Sequence, residues 1–225
     1  MIEQDGARGM EDLDRAIAID PDYWVANLLR GWALQAAGRL EESVHMMRRA
    51  LELNSLSHAV NSILALYLMF AGKNSEALEL ALDLAKRFPT VDNSQGNASI
   101  ITSVNGMHDE AVAFGWKAMA LAPHTPLMHT PLAYALAFAG RHDEARDVLA
   151  AIEESSLPLP TASLAPAYLA LGEREKAILL LQDASERGLP QFAWTRDDPR
   201  LASLRGDPSV ERLWTRIWSQ GLVSA

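Results

Sequence analysis

"GRHDEA", residues Gly140–Ala145, has near-copies elsewhere in the chain: "GRLEES" from Gly38, "GKNSEA" from Gly72, "GMHDEA" from Gly106 and "GEREKA" from Gly172. The first four glycines in chain order stand 34 residues apart, and the fifth follows after 32. Between one glycine and the next lie two apolar segments of helical length and period. "AVNSILALYLMFAG" (Ala59–Gly72) is one and "SEALELALDLAKRF" (Ser75–Phe88) the other. Strand-type alternation bounded by hairpin turns does not occur. Helix, tight turn, helix on a fixed period predicts an all-α helical repeat array.

Each repeated residue has a mechanical role in that reading. The glycine follows the first helix, where the chain must enter the left-handed region that a β-carbon disfavours. The acidic residues after it lie in the first turn of the second helix, where the helix dipole favours them. The small residues Ser43, Ala77, Ala111, Ala145 and Ala177 then let the second helix approach its partner. A second small position (Gly31, Ala65, Ser99, Ala133, Ala165) faces it from the first helix and permits close crossing. Pro21, Pro89 and Pro123 end second helices.

These glycines, paired small residues and prolines resemble the tetratricopeptide repeat (TPR). The second-helix endings "RAIAIDP" (Arg15–Pro21), "RRALELN" (Arg48–Asn54) and "KAMALAP" (Lys117–Pro123) resemble it as well. The resemblance implies a right-handed superhelical array of antiparallel helix pairs, a TPR α-solenoid. It divides 1–189 into a half repeat 1–23 and repeats 24–57, 58–91, 92–125, 126–157 and 158–189. Leu84 and Ile152 stand where the family has a small residue, and Ser55 where it has proline.

The ends are expected to differ from the middle. "GARGMEDLDRAIAIDP" (Gly6–Pro21) reads as a second helix without its first; because a repeat buries its apolar face on neighbours, the C-terminal part of a longer protein is expected, with a first helix that serves as a cap as the alternative. Residues 190–225 are expected to form a C-terminal cap. Its two Asp-Pro pairs start short helices at Pro199 and Pro208, and Leu213, Trp214, Ile217 and Trp218 make an apolar stripe that closes the array. This ending is similar to TPR regions of bacterial nucleotidyl-cyclase and winged-helix regulatory proteins, which implies a regulatory or sensor region of a larger signalling protein.

Composition restricts the chemistry. Net charge is −9, and no Lys/Arg run exceeds two residues, so nucleic acid or an anionic membrane is not an expected partner. Cysteine is absent, which excludes disulfides and thiolate chemistry. With no signal peptide or membrane-length apolar run in the sequence, a cytoplasmic location is expected. His45, His58, His108, His124, His129 and His142 lack metal-ligand spacing. The "HDE" runs at His108–Glu110 and His142–Glu144 fall at one repeat position, where acids serve the helix start. Phosphate loops and nucleophile motifs are missing. A non-catalytic protein without cofactor or metal is expected.

The resemblance places partner contacts on the concave face lined by first helices. It assigns to that groove Trp32, Leu28, Leu66, Phe70, Ile100, Tyr134 and Phe138, beside Val25, Gln35, Met69, Asn93, Val104, Thr130, Pro166 and Leu169. None of these is charged. A groove that clamps a chaperone's C-terminal carboxylate uses Lys and Arg there, so that partner is not expected. An apolar peptide or helix is, with self-association as a second possibility. "VDNSQGNASIITSVNG" (Val91–Gly106) should be a first helix but is rich in poor helix formers, so a weak helix held by its neighbours is expected, with a marginal hinge or a place of close ligand approach as the alternatives.

Overall fold

The computed structural model describes residues 2–55, 57–155 and 157–219. These form α1 (Ile2–Ile19), α2 (Trp24–Ala36), α3 (Leu40–Leu53), α4 (His58–Phe70), α5 (Asn74–Arg87), α6 (Asp92–Val104), α7 (His108–Leu121), α8 (Pro126–Phe138), α9 (His142–Glu153), α10 (Thr161–Ala170), α11 (Arg174–Glu186) and α12 (Pro208–Ser219). Two 3-10 turns, Pro190–Trp194 and Pro199–Leu204, separate α11 from α12. No strand occurs among the described residues.

From α2 onward, helices pack in consecutive pairs, and from α4 to α10 the even-numbered helices also pack on one another along the array. The turn inside each pair follows from backbone chemistry. Gly38, Gly72, Gly106, Gly140 and Gly172 all have φ between +66° and +80°. The residue after the glycine donates its N–H six-to-one back into the helix just ended, as Arg39 does to the Leu34 carbonyl at 2.9 Å and Arg141 to that of Leu136 at 2.9 Å. Carbonyls at the helix end are thereby satisfied, and the chain reverses.

Small residues set the spacing within each pair. Gly31 faces Ser43, and the equivalent pairs are Ala65 with Ala77, Ser99 with Ala111, Ala133 with Ala145 and Ala165 with Ala177; all ten residues are buried. Where serine takes the position it donates across the crossing: Ser43 Oγ to the Gly31 carbonyl at 2.7 Å, and Ser99 Oγ to that of Ala111 at 2.8 Å. Between repeats Gly115 has a similar function. A β-carbon there would lie 2.8 Å from Leu132 Cα, so α7 approaches the α8 backbone itself.

α6 is not a loose element. Nine of its thirteen residues, from Ser94 to Ser103, are buried, and it packs on α4, α5, α7 and α8. Ser94, Gln95, Asn97 and Ser99 bond outward to those neighbours, while Thr102 and Ser103 bond back to carbonyls of α6 itself. Gln95 Nε2 donates to the Ala85 carbonyl at 3.0 Å and Asn97 Nδ2 to that of Ser62 at 3.1 Å. The small residues admit helices, and the amides tie those helices together, which compensates for weak helix propensity.

The chain after α11 does more than cover the last repeat. α12 packs on α11 and also touches α1, so the two ends of the array meet through it. Leu201, Leu204, Val210 and Trp214 join the core built on α7–α11, and Leu213 packs against it. Ile217 and Trp218, expected to extend that stripe, lie outside the residues whose side chains are described.

Candidate functional site

Even-numbered helices line the inner side of the array, and residues 190–205 run across it. The first 3-10 turn touches α2 at one end of the array and α10 and α11 at the other; the second turn touches α10. Phe192 is buried in the C-terminal core, whereas Trp194, two residues on, packs against the separate N-terminal core built on α3–α6. Two neighbouring aromatic side chains therefore join the two halves of the molecule.

Polar contacts hold the crossing. Gln35 of α2, fully buried, donates from Nε2 to Asp197 Oδ2 at 3.4 Å, and its Oε1 has no partner. The Arg196 guanidinium lies over Gly38, where a β-carbon would be 3.4 Å from Nη1. Asp198 caps the second turn by accepting from the Arg200 N–H at 2.9 Å. It also pairs with the Arg200 side chain at 2.6 Å, with only 6% and 11% of the two side chains exposed. The guanidinium carbon of Arg200 stands 5.1 Å above the Tyr134 ring of α8. Trp214 of α12 braces the segment by donating Nε1–H to Thr195 Oγ1 at 3.0 Å, and that hydroxyl donates to the Phe192 carbonyl at 2.7 Å.

The charges respond to this enclosure. Burial raises the Asp197 carboxyl above its ordinary range, against the opposing pull of Arg196, Arg205 and the Gln35 bond. Burial also works against the Arg200 charge, but Asp198 more than restores it, and the guanidinium is held more firmly protonated than usual. The Tyr134 phenol is pushed up to about 12 by burial, with Arg200 acting in the opposite direction.

Residues that the sequence assigned to the groove divide into three groups. Trp32 and Phe138 are open to solvent, 39% and 47% exposed. Leu28, Leu66 and Ile100 are half-buried against the N-terminal core that also receives Trp194. Phe70 and Tyr134 are buried: Phe70 lies beside Tyr67, centroids 6.0 Å apart, and Tyr134 is stacked between Phe138 and Arg200. Tyr134 presents no free face to a partner, because the chain's own arginine covers it. Trp194, Asp197 and Arg200 were not among the assigned residues. Their only signal was "PQFAWTRDDPR" (Pro190–Arg200), a mixture of aromatic and charged residues that falls off the repeat period.

One polar cluster resembles a catalytic pair. His58 Nε2 lies 2.6 Å from Ser94 Oγ and 3.3 Å from Ser62 Oγ. Burial lowers the His58 pKa, with Asp92 opposing. Ser94 is 1% and Ser62 4% exposed, so a substrate has no access, and the cluster joins α4 to α6. His124 is exposed in the turn before α8, His129 lies within α8 and His142 begins α9. Among the described residues no group of three or more His, Asp or Glu stands together as a metal site. No described helix is long and apolar enough to cross a membrane.

Residues 26–55 and 128–151 each match a tetratricopeptide repeat model. The chain folds as a TPR solenoid. No curated protein sequence matches it. Among solved structures, PilW, a widely conserved type IV pilus biogenesis factor, is similar at 18% identity over 93% of this chain and 91% of that one, with a TM-score of 0.61. A thermophilic TPR protein of Thermus thermophilus is similar at 22% identity over 80% of this chain and 99% of that one, TM-score 0.58. YrrB, described as a TPR protein with an unusual peptide-binding site, is similar at 18% identity over 83% and 97%, TM-score 0.51. At these identities the likeness is one of fold.

Proposed function

We propose that this chain is a non-catalytic protein-interaction module that receives an apolar segment of a partner protein on its concave face. One observation carries the reading: the inner helices already hold an extended segment of the chain, with the aromatic side chain of Trp194 packed against the N-terminal core. Trp32 on α2 and Phe138 on α8, both open to solvent, offer further aromatic contact area of the kind that anchors protein interfaces. The peptide-binding site named for YrrB, a similar fold, agrees with this use of the scaffold.

The test is site-specific photocrosslinking in cells. A photoreactive phenylalanine analogue at Trp32 or Leu66 should capture one discrete protein, and the same analogue at Leu179, 64% exposed on α11, should not. Equal capture from both faces, or capture from α11 alone, refutes the groove as the contact surface.

A second reading is a regulatory region that relays binding to an attached domain. α12 favours it by touching both α1 and α11, a physical connection between the two ends of the array. Fusing a reporter domain ahead of Met1 and measuring its activity with and without groove substitutions separates this reading from the first.

A further inference from the structure

We infer that residues 190–205 are a resident ligand of the concave groove, and that the external partner is a protein segment of the same chemistry which displaces them. This rests on the groove reading above and adds the identity of what the groove selects: two aromatic side chains two residues apart, followed within six residues by a carboxylate–guanidinium pair.

The segment is held as a bound peptide is held. Its contacts come from the inner helices α2, α8 and α10, not from the helix before it alone. It brings an aromatic anchor to a preformed apolar surface, Trp194 on the N-terminal core. It brings a carboxylate, Asp197, to the amide of a fully buried glutamine. It brings a cation, Arg200, to the face of Tyr134. Anchors of these types confer orientation and specificity on peptides bound in grooves.

Groove chemistry fits the occupant at a place where ordinary repeat packing does not explain it. Gln35 is buried between Leu34 and Ala36 of α2, and its Oε1 has no partner in the closed arrangement. A buried, half-satisfied amide is costly in a core and useful in a recognition site, where an incoming donor can complete it. The connection to the array is short. α11 ends in a glycine turn at Gly188, φ +62°, and Leu189 leads directly into the segment. A tether of that length holds the segment near its groove at an effective concentration on the order of millimolar. An outside peptide must therefore compete with a resident held both by its tether and by buried contacts at Phe192, Leu201 and Leu204, and removing the Trp194 and Arg200 anchors is what should let it in.

The experiment uses the full chain and a fluorescently labelled peptide of residues 189–207 as the probe. In the double variant Trp194→Ala, Arg200→Ala the resident segment lacks both anchors, and the probe should bind at least tenfold more tightly than it binds the wild type. A probe carrying Trp194→Ala should lose that affinity. A second protein avoids substitutions in the array: a protease site placed between Gly188 and Leu189 lets the segment be cut but keep its contacts, and the probe should then exchange with it. Equal probe affinity for wild type and double variant, failure of the probe to bind either or to exchange into the cut protein, or indifference to Trp194→Ala in the probe each overturn the inference. Light scattering supplies a further check. A wild-type dimer that the double variant converts to a monomer would place the segment in the groove of a second copy and overturn the intramolecular arrangement. If the probe fails while Trp32 and Leu66 crosslink a partner, the groove stands and only this ligand chemistry falls.

Discussion

Substituting Arg200→Ala tests how the groove segment is held. In the closed molecule Arg200 donates from Nε and Nη2 to Asp198 at 2.6 to 3.1 Å, and both side chains are nearly removed from water. Alanine removes the guanidinium from an Asp198 that is buried in the wild type, and leaves the backbone N–H of residue 200 as its remaining close donor. Stranding a buried charge in this way costs about 3–5 kcal/mol. The molecule has a cheaper response than global unfolding: the segment can leave the groove and return Asp198 to water. The expected effect is therefore local. Amides of Phe192, Thr195 and Leu201, each bonded to a carbonyl three residues back, should exchange with solvent roughly 10²- to 10³-fold faster, by the conversion of about 1.4 kcal/mol per factor of ten. Amides in α4–α8 should keep their protection. Pairing the change with Asp198→Asn should recover most of the loss, because no charge is then stranded. Unchanged exchange in the segment would refute the burial argument, and an equal rise across the whole array would refute the separability of the segment.

Two helix glycines should respond with opposite signs to alanine. Gly115→Ala drives a β-carbon to 2.8 Å from Leu132 Cα and should destabilise the array by about 1–3 kcal/mol despite the better helix propensity. At Gly96 the new β-carbon would meet Pro131 Cγ at an ordinary 3.4 Å, so Gly96→Ala should raise the thermal midpoint, by up to about 1 kcal/mol of stability; matched melting curves decide both. The Asp197 carboxyl is raised when the segment is seated, so the seated state binds more protons than the released one. Closure should then weaken as pH rises from the ordinary carboxylate value of about 3.9 through the raised one. Asp197→Asn should remove that dependence and slow segment exchange at neutral pH. Asp207, lowered chiefly by bonds from Ser209 and Arg174, acts in the opposite sense and only as pH falls below the ordinary range.

Much of the fold was legible in the one-dimensional pattern because its causes are local. A turn glycine with φ near +70°, an acid in the next helix's first turn and a small residue twelve positions from its mate act within a single pair of helices. Their spacing alone therefore determined the repeat, its turns and the faces that meet. At α6, where Asn, Gln, Ser and Gly read as weak helix formers, the sequence pointed to a helix held by its neighbours without saying how they hold it. Tertiary neighbours on four sides turn the same residues into close packing and cross-helix bonds.

The site was less legible, for a geometric reason. Of the residues that the repeat register assigns to the groove, Trp32 and Phe138 are open to solvent, and Leu28, Leu66 and Ile100 are half-buried against the core that also receives Trp194. What lies in the groove depends on the curvature summed over successive repeats, which brings Gln35 within hydrogen-bond reach of Asp197, 162 positions later. No period in the sequence encodes that distance. Only the tertiary structure decided that Tyr134 lies beneath Arg200 and that α12 touches both ends, because both depend on where the superhelix closes.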